Sequence, residues 1–239
     1  MSTNRLVCED VTKDHGGSFT LGPLNLEIAQ GVTCLVGPNG AGKSTFFRLA
    51  ASVDKPTSGA LTLHGPGGPS LGYLPQEPQL PKAATCEEFL LYVAWLQRIP
   101  TAERARAVSV ALERTGLTEQ RKRKIRQLSG GMARRLGIAH TLVHDPALLL
   151  LDEPTVGLDP RQRIALRESI SHVSADRIVI VSTHLVEDVR GLADRVVVLN
   201  DGSVAFDGDI PSLEELAAPD APGDTDLERS IATLMGDAA

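Results

Sequence analysis

The stretch Gly37-Pro38-Asn39-Gly40-Ala41-Gly42-Lys43-Ser44-Thr45 constrains this chain more than any other. It fits Gly-x-x-x-x-Gly-Lys-[Ser/Thr], in which glycines let successive backbone N–H groups turn inward toward phosphate oxygens. Its flanks suit that geometry. Val32 to Val36 is short, apolar and β-branched, and reads as a buried strand; Ser44 to Ala51 continues as a helix. The helix N-terminus adds a partial positive charge. In such a loop Lys43 reaches the β- and γ-phosphates and the Ser44 hydroxyl ligates magnesium.

The remaining composition narrows the class. At 239 residues the chain is one large domain, or a domain with a subdomain. Hydrophobic content of 42% and charged content of 23% are those of a globular protein. A net charge of -6 argues against general affinity for nucleic acid, and no nucleic-acid partner is expected. Cys8, Cys34 and Cys86 are far apart, with no metal-ligand spacing, which fits a reducing cytosol. Met1 to Glu9 holds no signal-peptide apolar core. The apolar runs at Ala147 to Leu151 and Val196 to Leu199 fall far short of the ~20 residues of a spanning helix, so the chain is not expected to cross a membrane by itself.

Along the chain, Arg5 to Thr12 and Thr20 to Ile28 alternate as two strands, joined by a turn at Asp14 to Ser18, and predict an early antiparallel hairpin. Gly59 to His64 is a further short strand, followed by a loop from Gly65 to Pro69. Leu71 to Gln76 is a strand ending on a glutamine. Helical spacing then begins, with Phe89, Tyr92, Val93 and Leu96 at apolar positions from Thr85 to Gln97, and a second helix runs from Pro100 to about Thr115 and stops at Gly116. A helix after Ser129-Gly130-Gly131 runs to about Val143. Ala147 to Leu151 suits a central parallel strand, and it delivers Asp152-Glu153-Pro154. A helix over 161–173, a strand over 177–181 ending in Ser182-Thr183-His184, and a helix over 185–193 follow. Asn200-Asp201-Gly202 turns a hairpin between 196–199 and 203–206. A short helix from Pro211, a loop and a last helix over 227–234 complete the chain, with no motif after Pro211.

The order of these motifs resembles the ATP-binding subunit of an ABC transporter, over nearly the whole chain. The resemblance rests on the phosphate loop, Gln76, Leu128-Ser129-Gly130-Gly131, Leu148-Leu149-Leu150-Leu151-Asp152-Glu153-Pro154, Gly157-Leu158-Asp159 and Thr183-His184. It implies an α/β P-loop NTPase with a mainly parallel central sheet, an N-terminal antiparallel β subdomain and an inserted α-helical subdomain. The expected division is 1–76 and 146–210 for the nucleotide-binding core, 77–145 for the helical subdomain and 211–239 for a helical tail. The segments Gly31 to Val36, Leu91 to Leu96 and Asp226 to Arg229 look most like the drug- and antibiotic-exporter group.

The resemblance also implies roles. Asp152, at the carboxyl end of an apolar strand, holds the magnesium shell together with Ser44 and Gln76. Glu153 acts as general base or polarises the attacking water. His184 contacts the γ-phosphate, and Gln76, where the helical insertion begins, reports nucleotide state to it. Ser129, Gly130 and Gly131 open a helix and serve the ATP held by a second subunit, so two chains sandwich two ATPs with Asp159 along the seam. The expected cofactors are ATP and Mg2+. The expected partners are a second copy and a membrane-spanning permease, which would hold the chain on the cytoplasmic face of the cell membrane. A soluble ABC-type ATPase not linked to transport is the alternative.

Two positions depart from the family pattern. The signature ends in Met132 where Gln is usual; backbone amides and Ser129 do the binding, so activity is expected to survive. The adenine-stacking aromatic is replaced by His15, with Phe19 as a possible substitute. The basic run Arg121 to Arg126 reads as a solvated segment rather than a nucleic-acid or lipid contact, since the chain is acidic.

Overall fold

The computed structural model describes residues 4–17, 19–66, 68 and 70–236. Ser18, Gly67 and Pro69, which belong to two of the expected loops, lie outside them. The strands in chain order are β1 (Arg5–Asp14), β2 (Thr20–Ile28), β3 (Gly31–Val36), β4 (Ser58–His64), β5 (Leu71–Leu74), β6 (Leu148–Asp152), β7 (Ile178–Ser182), β8 (Arg195–Asn200) and β9 (Ser203–Gly208). The helices are α1 (Lys43–Ala50), α2 (Cys86–Leu96), α3 (Thr101–Arg114), α4 (Gly130–Leu142), α5 (Pro160–Ser174), α6 (Val186–Leu192), α7 (Ile210–Glu214) and α8 (Asp226–Met235).

Six strands form the central sheet in the order β5-β6-β7-β3-β8-β9. All neighbours pair parallel except β8 and β9, the expected hairpin. Its turn needs two left-handed residues, and Asp201 and Gly202 supply them at φ 44 and 77. The first hairpin and β4 form a separate antiparallel sheet, β2-β1-β4.

Alternation explains how both faces of the central sheet are covered. Leu149, Leu151, Val179, Val181, Val196 and Val198 face one way, against α2 to α6 and α8. Leu148, Leu150, Ile178, Ile180, Val197 and Leu199 face the other, against α1 and the antiparallel sheet. Parallel strands buried on both sides read as continuous apolar runs. Each such side chain contributes roughly 1.5–3 kcal/mol on burial.

Three sequence expectations change in detail. The strand before Gln76 ends at Leu74, because Pro75 has no N–H for the ladder. On α2, Val93 is buried, but Tyr92 and Leu96 are 55% and 53% exposed, and the inward face is Cys86, Leu90, Val93 and Ala94. The basic run is solvated only in part. Arg121 pairs with Glu87 at 2.7 Å. The carbonyls of Arg121 and Arg123 also accept from the N–H groups of Glu87 and Cys86, in the first turn of α2. Thr85 and Glu88 complete that helix start with a reciprocal capping box.

Candidate functional site

Because β5, β6, β7 and β3 are successive neighbours, the segments leaving their carboxyl ends converge at one edge. The result is a cleft of about 920 Å3, lined by the phosphate loop, Gln76, Asp152, Glu153, Val156 and His184, with Phe19, Ile231 and Met235 at its margins. Two loop glycines are required by space and backbone. A Cβ on Gly37 would lie 2.3 Å from the Leu199 carbonyl oxygen, and Gly42 has φ 105 with Leu21 Cδ1 at 2.6 Å. Helix α1 starts directly at Lys43. The buried Lys43 ammonium donates to the carbonyls of Gly37 (2.6 Å) and Pro38 (3.0 Å). Burial pulls its pKa below the ordinary range, and Glu153 and Asp152 push it back up.

The acidic side is organised by Ser182. Its hydroxyl donates to Asp152 Oδ1 at 2.5 Å and accepts from the Glu153 N–H at 2.8 Å. Glu153 has φ 43, a left-handed conformation that costs a non-glycine residue about 1–3 kcal/mol. In it, Glu153 Oε2 accepts from Gln76 Nε2 at 3.4 Å and Oε1 lies 3.3 Å from His184 Nδ1. Gln76, Glu153 and His184 therefore meet beside the phosphate loop.

Burial, and secondarily Glu153, hold the Asp152 carboxyl above its ordinary value of 3.8, against the opposing pull of Ser182, Lys43 and Arg134. A raised folded-state pKa means stability that is fully present below the unfolded value and lost as pH rises through the folded one. Asp152→Asn keeps an acceptor for Ser182 and removes the charge. It is expected to stabilise the nucleotide-free chain at pH 7 by about 1 kcal/mol, or roughly 2–4 °C in Tm. The gain should shrink as pH falls through the folded-state value and vanish only well below the unfolded value of about 3.9. Thermal melts of both proteins across pH check this; a gain that does not change with pH contradicts it.

Ser44, Gln76 and Asp152 all line the cleft. Their donors are hard oxygens, which suit magnesium. Among the described residues no group of three or more His, Cys, Asp or Glu side chains forms a metal cage. Magnesium typically takes one or two carboxylates and fills its shell with phosphate and water, so this set fits.

His15 is not among the lining residues. Its Nε2 lies 3.2 Å from Thr45 Oγ1 and its ring stacks on Phe19 at 6.4 Å between centroids; Phe19 is the aromatic that faces the cleft. Ser129, Gly130 and Gly131 lie apart from the cleft. The Ser129 hydroxyl caps α4 by accepting from Met132 N–H at 3.3 Å, and Gly130 lines a separate cavity. Asp159 caps α5 by accepting from Gln162 N–H at 2.9 Å. Sequence reasoning missed Val156, Ile231 and Met235 in the lining. It also missed Arg134, a buried guanidinium on α4 whose pKa burial pulls down, with Asp152 and Glu153 opposing. No motif marks any of the four.

The profile of the ABC transporter family matches residues 21–156, and the chain belongs to that family. It is 34% identical over 221 residues to the Nod factor export ATP-binding protein I of Rhizobium johnstonii, covering 87% of this chain and 71% of that one. It is 32% identical over 209 residues to the linearmycin resistance ATP-binding protein LnrL of Bacillus subtilis, covering 83% and 67%. Its match spans between 58% and 71% of the length of such curated relatives, and 62% for the Bacillus subtilis protein YxlF. Among solved structures, cbiO1 from Clostridium perfringens, part of the ABC transporter complex cbiONQ, superposes with a TM-score of 0.78 at 29% identity, covering 87% of this chain and 89% of that one. The fold is that of an ABC ATPase, and the resemblance to exporter-type ATP-binding proteins holds. ATP-binding subunits of this family are ATPases that drive transport and work with membrane permeases. No helix among the described residues is long and apolar enough to cross a membrane.

Proposed function

We propose that this chain hydrolyses MgATP to drive an exporter, as the subunit that binds nucleotide while a separate permease spans the membrane. The observation that carries the reading is the convergence of Gln76, Asp152, Glu153 and His184 on the phosphate loop. The loop amides and Lys43 would bind the triphosphate. Ser44, Asp152 and Gln76 would hold magnesium, which neutralises charge on the phosphates when bound. Glu153 would orient water and take its proton, and His184 would hold the γ-phosphate side.

Two features support assembly. The Ser129-Gly130-Gly131 helix start lies away from its own cleft, which suits service to the ATP of a second copy in a two-fold sandwich. Permease docking has a candidate groove of about 530 Å3, lined in part by Leu80, Ala84, Phe89 and Tyr92. Beside it, Tyr92, Trp95 and Leu96 expose apolar surface, the kind that marks an interface. The division into 1–76 with 146–210, 77–145 and 211–239 follows the same logic of core, coupling subdomain and tail. Such a chain would sit at the cytoplasmic face of the cell membrane through its permease.

The test is to tag the chain in its source cell, solubilise membranes in mild detergent and identify what co-purifies. A multi-spanning membrane protein is the expected result, and its loss on Tyr92→Asp would assign the groove. Recovery of soluble partners only would replace the transporter reading with that of a soluble ABC-type ATPase.

A further inference from the structure

Arg134 and Arg135 are neighbours on α4 with different destinations. Arg135 reaches back within the helical subdomain, to the carbonyls of Thr115 and Gly116. Arg134 is buried and points out of the subdomain. Its Nη1 donates to the carbonyls of Gln76 (2.5 Å) and Pro75 (3.5 Å). Its Nη2 donates to Glu153 (2.5 Å) and Asp152 (3.3 Å), and its Nε to Pro154 (2.8 Å). Among the described residues it forms no ion pair. A fully charged fork thus spends all its hydrogen bonds on main-chain oxygens from two segments, the one carrying Gln76 and the one carrying Glu153.

That choice of partners matters. Carbonyl oxygens report backbone placement, and a planar fork fixes two segments at once in a way an ammonium cannot. The segment it grips contains Glu153 at φ 43, a conformation that persists only where its surroundings over-determine it. Gripping the Glu153 carbonyl fixes the peptide plane after that residue, while Ser182 fixes the N–H before it. The same guanidinium holds the Gln76 carbonyl, so the two side chains that meet at 3.4 Å in the cleft share one anchor behind it.

We infer that Arg134 is a positioning residue for hydrolysis, a strut that ties the orientation of the signature helix α4 to the placement of Glu153 and Gln76. Arg134 is not itself among the residues lining the cleft; it acts on three that are, Gln76, Asp152 and Glu153, through their main-chain carbonyls. The inference rests on the reading of Glu153 as the residue that activates water. It adds a direct mechanical link from the helical subdomain to that residue.

The test compares the wild type, Arg134→Lys, Glu153→Gln and the double variant in the full chain, by single-turnover hydrolysis of radiolabelled MgATP, with binding of MgATP and Tm measured alongside. Arg135→Lys is the control. Arg134→Lys is expected to slow hydrolysis about 10–100-fold, the scale of a misplacement near 1 Å, with MgATP affinity within about threefold of wild type. In the Glu153→Gln background the same change should cost nothing further, because the two act as a unit. If Arg134→Lys fails to fold, Arg134→Gln is read in the same way, and failure of both assigns the residue a purely structural role and overturns the inference. An unchanged rate, an equal loss in affinity, or a full multiplicative loss in the double variant also overturns it. Absence of hydrolysis by the wild type, or a Glu153→Gln variant as fast as wild type, overturns instead the reading of the site.

Discussion

Glu153→Gln is expected to cut ATP turnover by about 10^2–10^4-fold while leaving MgATP affinity near the wild-type value. The geometry explains why the two quantities separate. Nucleotide affinity would come from the loop amides, Lys43 and the magnesium ligands, none of which includes Glu153. Glutamine keeps the shape, the φ 43 backbone and the hydrogen bond that the main-chain N–H donates to the Ser182 hydroxyl. It can still accept from Gln76 Nε2, now 3.4 Å from Glu153 Oε2. What it loses is the anionic oxygen that can take a proton from water and that faces His184 Nδ1 at 3.3 Å. A variant that binds without turning over should also lengthen the life of any ATP-dependent dimer, visible as a shift in sedimentation when MgATP is added. Turnover within about twofold of wild type would remove Glu153 from the chemistry and leave Asp152 and His184 to be tested.

The parts of this architecture that sequence reveals are those in which one local pattern suffices. The four leucines before Asp152 read as a doubly buried strand, because no half-exposed strand or surface helix tolerates such a run. Asn200-Asp201-Gly202 reads as a hairpin, because few residues accept two successive left-handed conformations. The phosphate loop is legible for the same reason, with strand, glycines and helix in register. Helix α2 is legible as a helix and illegible as a surface. In Cys-Glu-Glu-Phe-Leu-Leu-Tyr-Val-Ala-Trp-Leu apolar residues surround the axis, so spacing alone does not say that Tyr92 and Leu96 face out while Leu90 and Ala94 face in. Arg134 and Asp188 are hidden in a different way. Each is a charged residue on a helix, and charged residues are mostly exposed; only tertiary contacts reveal that these two are buried. The cleft margin at Ile231 and Met235 is invisible for the plainest reason: α8 packs there from the far end of the chain, and the Asn200 side chain donates to the Leu234 carbonyl at 2.9 Å.

Asp188→Ala is expected to destabilise the chain by about 3–5 kcal/mol, the cost of breaking a buried ion pair by removing one partner. Asp188 is fully buried on α6. Its Oδ1 accepts from Arg167 Nε at 2.9 Å and Nη2 at 2.6 Å, a two-pronged grip from α5. Its Oδ2 accepts from the hydroxyls of Thr155 and Thr183, both buried. Truncation would leave a mostly buried guanidinium without its counter-charge and two hydroxyls without an acceptor, each a named route to a large loss. The damage would not stay structural. Thr155 follows Glu153-Pro154, and Thr183 precedes His184 while accepting from the Leu185 N–H at 3.0 Å. One carboxylate therefore pins the segments that carry both groups flanking the attacking water in the proposed chemistry, and hydrolysis should fall with stability. Urea unfolding at pH 7 measures the loss. The pair Arg167→Met with Asp188→Leu separates charge burial from packing: removing both charges should recover much of the stability that Asp188→Ala loses, since no ion is then left unpaired. Hydrolysis should stay impaired in that pair, because neither new side chain can hold Thr155 and Thr183. A single variant that loses less than about 1 kcal/mol would show that water takes the place of the carboxylate, and that the two threonine segments are held by the sheet alone.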